Sequence, residues 1–214
     1  ISNLNHVLKK QDILLCRSTL KVTPALLEHS QLKCVATASS GSDHINADYL
    51  ATKQMSLLDA KGSNAHAVAD YMLCIFAYLN IDTTQTIGIM GMGHVGSTLA
   101  NRLSLLGYQL LPFDLPRMQR DTQFVSKSFA QFCQADVFCI HANLHDTVPY
   151  PSKDAINQAF FKKIKPNTIL INAARGGIVN ENALLNHSKP LIYCTDVYCN
   201  EPHINPQIVK YASI

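Results

Sequence analysis

The sequence predicts an α/β protein with parallel sheets. Short apolar segments alternate along the chain with segments in which apolar residues recur at helical spacing. A helix between consecutive strands makes those strands parallel, so this alternation indicates a series of βαβ units. The third observation is a glycine-rich turn directly after one strand, with an acid at the end of the next strand. The predicted strands are 12–16, 32–38, 55–58, 87–90, 108–113, 136–141, 168–173 and 191–197, and the predicted helices are 24–30, 46–52, 65–79, 95–106, 128–135, 154–164 and 180–187.

Capping residues fix several of these boundaries. Thr23 and Pro24 are typical of the N-cap and the first position of a helix. Gly107 ends the helix that follows the glycine-rich turn. Lysines at 162, 163 and 165, followed by Pro166, are typical of a helix C-terminus. Pro112 does not fit the interior of a strand, because proline lacks a backbone donor.

Composition argues against several classes of protein. The chain has 214 residues, 47% of them hydrophobic and 15% charged, so it can bury a sizeable core and is not expected to be disordered. Its formal net charge of +3 is small and its basic residues are scattered, which argues against binding to nucleic acid. No apolar run approaches the roughly 18 residues of a membrane helix.

The seven cysteines lie mostly inside apolar strands or helices and form no CxxC or CxxH pair. This placement favours buried, reduced thiols in a cytoplasmic protein and argues against a metal site. The cysteines are Cys16, Cys34, Cys74, Cys133, Cys139, Cys194 and Cys199.

The helix predicted at 65–79 is apolar on most sides. Such a helix is buried between two domains or against another subunit. We therefore place a domain boundary near Asn64, which gives domains 1–63 and 64–214. His66 and Asp70 on this helix are an i, i+4 pair, which we interpret as structural rather than as metal ligands.

The glycine-rich turn Gly91-Met92-Gly93-His94-Val95-Gly96 follows a buried strand and opens a helix. Gly91 allows the tight turn, Gly93 leaves room for a pyrophosphate, and Gly96 lets the helix pack on its strand. The amides of His94 and Val95 are expected to face the phosphates at the helix N-terminus. We interpret the side chain of His94 as facing solvent. A glycine turn of some other α/β protein is the alternative.

Asp114 ends the strand that follows. An acid there accepts hydrogen bonds from the adenosine ribose and repels a 2′-phosphate, so the sequence predicts NAD rather than NADP as the cofactor. Arg117, three residues later, argues the other way, because an arginine could hold that phosphate.

Two further strands end in charged residues. Arg175 follows a buried strand and is followed by two glycines, and an arginine there suits bidentate capture of a carboxylate. Asp196 and Glu201 lie around the end of the next strand, where an acid could orient a histidine that transfers a proton. A structural salt bridge between Arg175 and Glu201 is the alternative.

In the first domain, the loops 17–19 and 39–44 also lie at strand ends. Successive amides in such small-residue loops can form a nest for a carboxylate or a phosphate. We interpret Asp43 as a helix N-cap rather than as half of a catalytic dyad with His44, because adjacent loop residues rarely aim their side chains at each other.

The order GMGHVG, Asp114, NAARGGIV and DVYCNEP is similar to that of the D-isomer-specific 2-hydroxyacid dehydrogenases. The strings RSTLKV, ATASSGSDHIN and GSNAHAVADYML narrow the resemblance to members that act on a small phosphorylated 2-hydroxy acid. The resemblance covers essentially the whole chain. It implies a Rossmann-type doubly wound parallel sheet plus a partial flavodoxin-like substrate domain, an active site in the cleft between the two, and a homodimer.

The resemblance also implies roles for individual residues. Arg175 matches the catalytic arginine, Glu201 the catalytic glutamate, and Asp196 the acid near the nicotinamide. Ser18 and Ser39 match substrate-contacting hydroxyl positions. The cofactor-binding set is Gly91, Gly93, His94, Val95, Gly96, Asp114, Ala142 and Asp196. Ala142, with Asn143, replaces the usual threonine and proline, which is expected to loosen one cofactor contact.

In the family, the general acid–base is a histidine on the next strand end, and the run 211–214 resembles the approach to it. No histidine of this chain matches that position, and the family's first strand and its carboxyl-terminal dimerisation region have no counterpart here. We therefore expect the chain to be truncated at both ends and to be a very poor catalyst alone. Another dehydrogenase of the family, of the phosphoglycerate or glycerate type, is one alternative. A catalytically dead NAD-binding module is the other.

Overall fold

A computed structural model describes residues 4–213 of the chain. It divides into two compact units, residues 1–64 and residues 65–214. The predicted run at 211–214 ends on a residue that lies outside the described part.

The first unit is a three-stranded parallel sheet in the order β1-β2-β3. Its elements are α1 Leu4–Leu8, β1 Ile13–Cys16, α2 Pro24–Leu27, β2 Cys34–Thr37, α3 Ala47–Thr52 and β3 Ser56–Leu58. Leu27, Val35 and Leu50 are at its fully buried centre. Thr23 caps α2 as predicted, with its hydroxyl accepting from the Leu26 amide. The prediction that Asp43 caps α3 is wrong, because Asn46 accepts from the Tyr49 amide at 2.8 Å.

The second unit is a five-stranded parallel sheet in the order β5-β4-β6-β7-β8. Its strands are β4 Thr86–Met90, β5 Gln109–Phe113, β6 Val137–Ile140, β7 Thr168–Asn172 and β8 Leu191–Thr195. Its helices are α4 Ala65–Tyr78, α5 His94–Leu105, α6 Leu115–Arg120, α7 Phe129–Phe132, α8 Gln158–Lys163, α9 Glu181–Leu185 and α10 Pro206–Tyr211. Together the two sheets confirm the predicted α/β class with parallel strands.

The strand order creates a switch point at β4. The chain leaves β4 through α5 to reach β5 on one side, and it later returns to β6 on the other side of β4. Ligands of doubly wound sheets bind beyond the carboxyl ends of the strands at such a point. The glycine-rich turn lies directly after β4.

Several predicted boundaries are wrong by a few residues, and three helices were not predicted. The predicted helix 154–164 begins only at Gln158, because Asn157 caps it and Asp154 has a positive φ of 54°. The predicted strand 191–197 ends at Thr195, whose hydroxyl donates to the carbonyl of Val197 at 2.8 Å. The helices at 24–30, 128–135 and 180–187 are shorter, and α1, α6 and α10 are additional.

Pro112 is accommodated because β5 is an edge strand. It lies opposite Ile89 of β4, and β5 pairs with β4 alone. An edge strand tolerates proline because its outer backbone positions make no ladder hydrogen bonds. The Pro112 carbonyl accepts from the Lys127 amide at 2.8 Å.

Helix α4 buries one face against the rest of the second unit, through Ala69, Met72 and Phe76. Tyr71 and Tyr78 on the same helix are exposed. His66 and Asp70 both contact the guanidinium of Arg102 on α5, so this arginine links the two side chains. In residues 4–213, no helix is long and apolar enough to span a membrane.

Candidate functional site

The three glycines of the turn after β4 have different steric surroundings. Gly91 has a φ of +89°, and a Cβ there would lie 2.5 Å from the Ala142 amide nitrogen. A Cβ on Gly96 would lie 2.0 Å from the carbonyl oxygen of Gly91, so α5 can approach the turn only because that residue is glycine. Among the described residues other than its two chain neighbours, none has a heavy atom within 4 Å of the Cβ position of Gly93. Two glycines are therefore required by packing, and the third borders open space.

Helix α5 begins at this open space. Gly93 is its N-cap and contributes no side-chain hydrogen bond. The first-turn amides, including those of His94 and Val95, have no acceptor within the helix, and the helix dipole favours negative charge beside them. The side chain of His94 is exposed. The turn thus offers backbone donors and space to an anion such as a pyrophosphate.

Asp114 lies beside the turn at the carboxyl end of β5. Its Oδ2 accepts from the Met92 amide at 2.7 Å, and its Oδ1 accepts from the Arg117 amide at 2.8 Å as the N-cap of α6. The structure therefore brings together the glycine-rich turn and the predicted ribose acceptor.

The guanidinium of Arg117 also contacts the turn. Its Nη1 donates to the Met92 carbonyl at 2.6 Å and to the Ser97 hydroxyl at 3.0 Å. Its Nε and Nη2 both donate to Oδ2 of Asp121 at 3.2 Å, and the group lies 4.6 Å from the centre of the Phe124 ring. The sequence set Asp114 and Arg117 against each other as determinants of the NAD or NADP preference. The structure adds Ser97 and Asp121, which contact Arg117 and were not predicted.

The loop after β6 forms another wall of the turn. The His141 amide donates to the Met90 carbonyl at 2.7 Å, and the backbone of Ala142 lies under Gly91. Nε2 of His141 is buried and has no hydrogen-bond partner among the described residues. Burial lowers the pKa of His141 to about 4, so its imidazole is neutral near pH 7. Sequence reasoning placed His141 at a strand end but did not predict that its Nε2 is buried.

Asn172 shapes the turn that carries Arg175. Its side chain is fully buried at the end of β7, where Nδ2 donates to the Arg175 carbonyl at 3.0 Å and Oδ1 accepts from the Ala174 amide at 3.2 Å. Nη1 of Arg175 donates to the Ala174 carbonyl at 2.8 Å. The turn is therefore held by a buried amide that sequence reasoning did not select.

The loop that carries Glu201 contacts the Arg175 turn. A Cβ on Gly176 would lie 2.0 Å from the Tyr198 carbonyl oxygen, so the two backbones meet closely there. Oε1 of Glu201 accepts from the Tyr198 amide at 2.7 Å, and Oε1 of Glu181 accepts from the Cys199 amide at 3.2 Å. The loops bearing Arg175 and Glu201 are thus neighbours.

Asp196 directly follows β8. Loss of hydration around its carboxyl group raises its pKa above the ordinary value, and the negative charge of Glu201 raises it further. Glu201 is therefore close enough to Asp196 to influence the ionisation of the Asp196 carboxyl group.

Ser18 and Ser39 lie together in the first unit. Strands β1 and β2 pair with Cys16 opposite Thr37, so the loops after them begin side by side. The Ser18 amide donates to the Ser39 hydroxyl at 3.2 Å, and the Ser39 amide donates to the Thr37 hydroxyl at 3.2 Å. Nε2 of His44 also lies 3.2 Å from the Thr37 hydroxyl.

The donor set after β4 and β5 fits a dinucleotide. Space at Gly93, helix amides and a carboxylate at the next strand end are the groups that recognise a pyrophosphate and a ribose. Within residues 4–213, no group of three or more His, Cys, Asp or Glu residues could hold a metal ion.

Comparison with known proteins gives a family match. The family described as D-isomer specific 2-hydroxyacid dehydrogenase, NAD binding domain, matches residues 79–213. A relative from Legionella pneumophila (strain Lens), named erythronate-4-phosphate dehydrogenase, is 48% identical over 212 residues. That alignment covers 98% of this chain and 61% of the relative, so the chain spans about three fifths of that protein's length.

Solved structures of other proteins share the fold. D-lactate dehydrogenase from Aquifex aeolicus, complexed with NAD and lactic acid, has a TM-score of 0.78 at 24% identity and covers 96% of this chain and 69% of its own. An acyclic imino acid reductase in complex with NADPH and D-Arg has a TM-score of 0.82 at 18% identity and covers 97% of this chain and 75% of its own. At these identities the likeness shows the fold alone, and it confirms the predicted Rossmann-type architecture.

Proposed function

The chain belongs to the family of D-isomer specific 2-hydroxyacid dehydrogenases, whose NAD-binding domain it contains, and we propose that it serves the NAD-dependent oxidation of 4-phospho-D-erythronate. The product of that reaction is 2-oxo-3-hydroxy-4-phosphobutanoate. The observation that carries the reaction class is the placement of the glycine-rich turn, Arg175 and Glu201 after strands of one parallel sheet. The substrate is proposed from the 48% identity to the Legionella relative.

The cofactor contacts follow from the donor set. We propose that the amides of His94 and Val95 hold the pyrophosphate beside Gly93, that Asp114 accepts from the ribose hydroxyls, and that Ala142 lines the same bed. When bound, NAD supplies the acceptor for a hydride. Asp196 is proposed to face the nicotinamide end.

Arg175 is proposed to pair with the substrate carboxylate. A guanidinium binds a carboxylate through two parallel N–H donors, and it also favours a carbonyl that gains negative charge. Glu201 is proposed to orient the acid–base group, and a nearby carboxylate favours the protonated form of a histidine. We do not assign the acceptor of the substrate's hydroxyl proton to any of these 214 residues. Ser18 and Ser39 of the first unit are proposed as substrate contacts.

The proposed setting is the pathway to pyridoxal phosphate in the cytoplasm, with a homodimer as the assembly. The exposed aromatic side chains Tyr71 and Tyr78 on α4 support a second subunit, since an exposed apolar helix face is typical of an interface. The seven free cysteines support a reducing compartment.

Binding tests the proposal most cleanly, because it does not depend on the proton acceptor. Calorimetric titration of the NADH-loaded protein with 4-phosphoerythronate should show tighter binding than titration with 3-phosphoglycerate. Arg175→Gln should weaken 4-phosphoerythronate binding by about 100-fold, as expected for the loss of a charge-assisted pair worth roughly 3 kcal/mol. Arg120→Gln is the control, since it makes the same charge change at an exposed arginine of α6 whose Nε donates to the Pro116 carbonyl at 3.1 Å.

Tighter binding of 3-phosphoglycerate than of 4-phosphoerythronate would contradict the proposed substrate and favour the phosphoglycerate-type alternative. Binding of NADH with no affinity for either acid would contradict the proposed reaction. Equal affinities of the Arg175→Gln and Arg120→Gln proteins would contradict the role of Arg175.

A further inference from the structure

Arg117 lies beside the acid that is proposed to hold the adenosine ribose. The Met92 amide donates to Asp114, and the Met92 carbonyl accepts from Arg117, so one residue of the turn is held by both side chains. An arginine at this place is the residue type that would hold the 2′-phosphate of NADP. The fold itself does not exclude that cofactor, since the imino acid reductase of the same fold holds NADPH.

The guanidinium of Arg117 is already engaged. Four of its five N–H groups donate hydrogen bonds. Two donate to Asp121, one to the Met92 carbonyl and one to the Ser97 hydroxyl. The Phe124 ring lies against one face of it. The acid that holds it, Asp121, is four residues later and forms a salt bridge at 3.2 Å.

We propose that Asp121 is a specificity-determining residue that selects NAD over NADP by holding Arg117 against the glycine-rich turn. The inference rests on the proposed use of this turn and Asp114 as the dinucleotide site. A 2′-phosphate beside Asp114 would have to compete with the Asp121 carboxylate for the same guanidinium, and both acids would repel it. In this arrangement Arg117 braces the nucleotide bed and is not available as a phosphate ligand.

Asp121→Asn removes the competing charge. The substitution keeps an oxygen that can accept from the Gln123 amide, as Oδ1 does in the native protein at 3.1 Å. It weakens the hold on Arg117, which can then turn to a 2′-phosphate. The ratio of the NADP and NAD dissociation constants should fall about tenfold, which corresponds to about 1.4 kcal/mol.

A charge-matched control separates this effect from a change in net charge. Asp82→Asn makes the same charge change at the amino end of β4, opposite to the turn, and keeps an oxygen that can accept from the Thr84 amide. Its cofactor ratio should equal that of the unaltered protein. The double variant Asp121→Asn with Arg117→Met should lose the gain, because the gain requires the released guanidinium.

Calorimetric titrations of each protein with NAD and with NADP provide the ratio. An unmoved ratio in Asp121→Asn, with normal NAD binding, would overturn this inference and leave the proposed function intact. An equal fall in Asp82→Asn, or a gain that persists without Arg117, would also overturn it. Failure of the unaltered protein to bind NAD would instead overturn the proposed dinucleotide site, and the inference with it. The far-ultraviolet circular dichroism spectrum of each variant, compared with that of the unaltered protein, shows whether it is folded.

Discussion

Alanine substitutions at Gly93 and Gly107, which lie at the two ends of α5, should have opposite effects. The first should weaken NAD binding and the second should lower the free energy of unfolding. Gly93 has a φ of −75° and open space at its Cβ position, so alanine fits there without a clash. Alanine caps a helix less well than glycine but also restricts the unfolded chain, and these opposing effects should leave the free energy of unfolding within about 1 kcal/mol of the native value. The added methyl group occupies the space proposed for the pyrophosphate, so NAD affinity should fall at least about tenfold.

Gly107→Ala should do the reverse. Gly107 also has open space at its Cβ position, but its φ of +88° is in the left-handed region, where alanine costs about 1–2 kcal/mol. The residue lies after the far end of α5, where its amide donates to the Ser104 carbonyl at 3.0 Å. NAD affinity should remain within about twofold of the native value, since RT ln 2 is only about 0.4 kcal/mol.

Urea denaturation followed by circular dichroism measures the stability of both variants, and calorimetry measures their NAD affinity. If Gly93→Ala bound NAD as tightly as the native protein, the assignment of that space to the cofactor would be refuted. If Gly93→Ala were as destabilised as Gly107→Ala, its weaker binding could be ascribed to unfolding, and the reasoning from open space would fail.

Two further perturbations test the packing around the site. Because burial lowers the pKa of His141 from 6.5 to about 4, the unfolded chain gains a proton between those pH values that the folded chain does not, so falling pH should reduce the free energy of unfolding by about 3 kcal/mol through this residue. His141→Gln should show a smaller loss between pH 7 and pH 4 in urea denaturation than exposed His94→Gln, and equal losses would contradict the burial. Gly176→Ala places a methyl group 2.0 Å from the Tyr198 carbonyl oxygen, so it should destabilise the protein by about 1–3 kcal/mol, and an unchanged melting temperature would contradict that contact.

The order of the elements and the glycine-rich turn were predictable because both depend on local sequence. Apolar periodicity identifies strands and helices, and the steric needs of Gly91 and Gly96 follow from the turn itself. The additional helix α6 was not predicted because Asp114 was interpreted only as a ribose acceptor. Its spacing of three residues to Arg117 is also that of an N-cap, and the i, i+4 spacing of Arg117 and Asp121 indicated a helical pair.

The contacts that complete the site could not be read from local patterns. Arg117 reaches the Met92 carbonyl across 25 positions of the sequence, and Glu181 reaches the Cys199 amide across 18. Such contacts depend on which strands become neighbours in the sheet. That order, with its reversal at β4, is a property of the folded chain and not of any local stretch of sequence. The burial of Nε2 of His141 has the same origin, because His141 directly follows β6, which pairs with β4, the strand that leads into the turn.

A crystal structure of the protein with NAD tests the central claim most directly. The account predicts pyrophosphate oxygens within hydrogen-bond distance of the His94 and Val95 amides, above Gly93, with a ribose hydroxyl on the Asp114 carboxylate. NAD bound elsewhere on the second unit, or an adenosine ribose that makes no contact with Asp114, would contradict it.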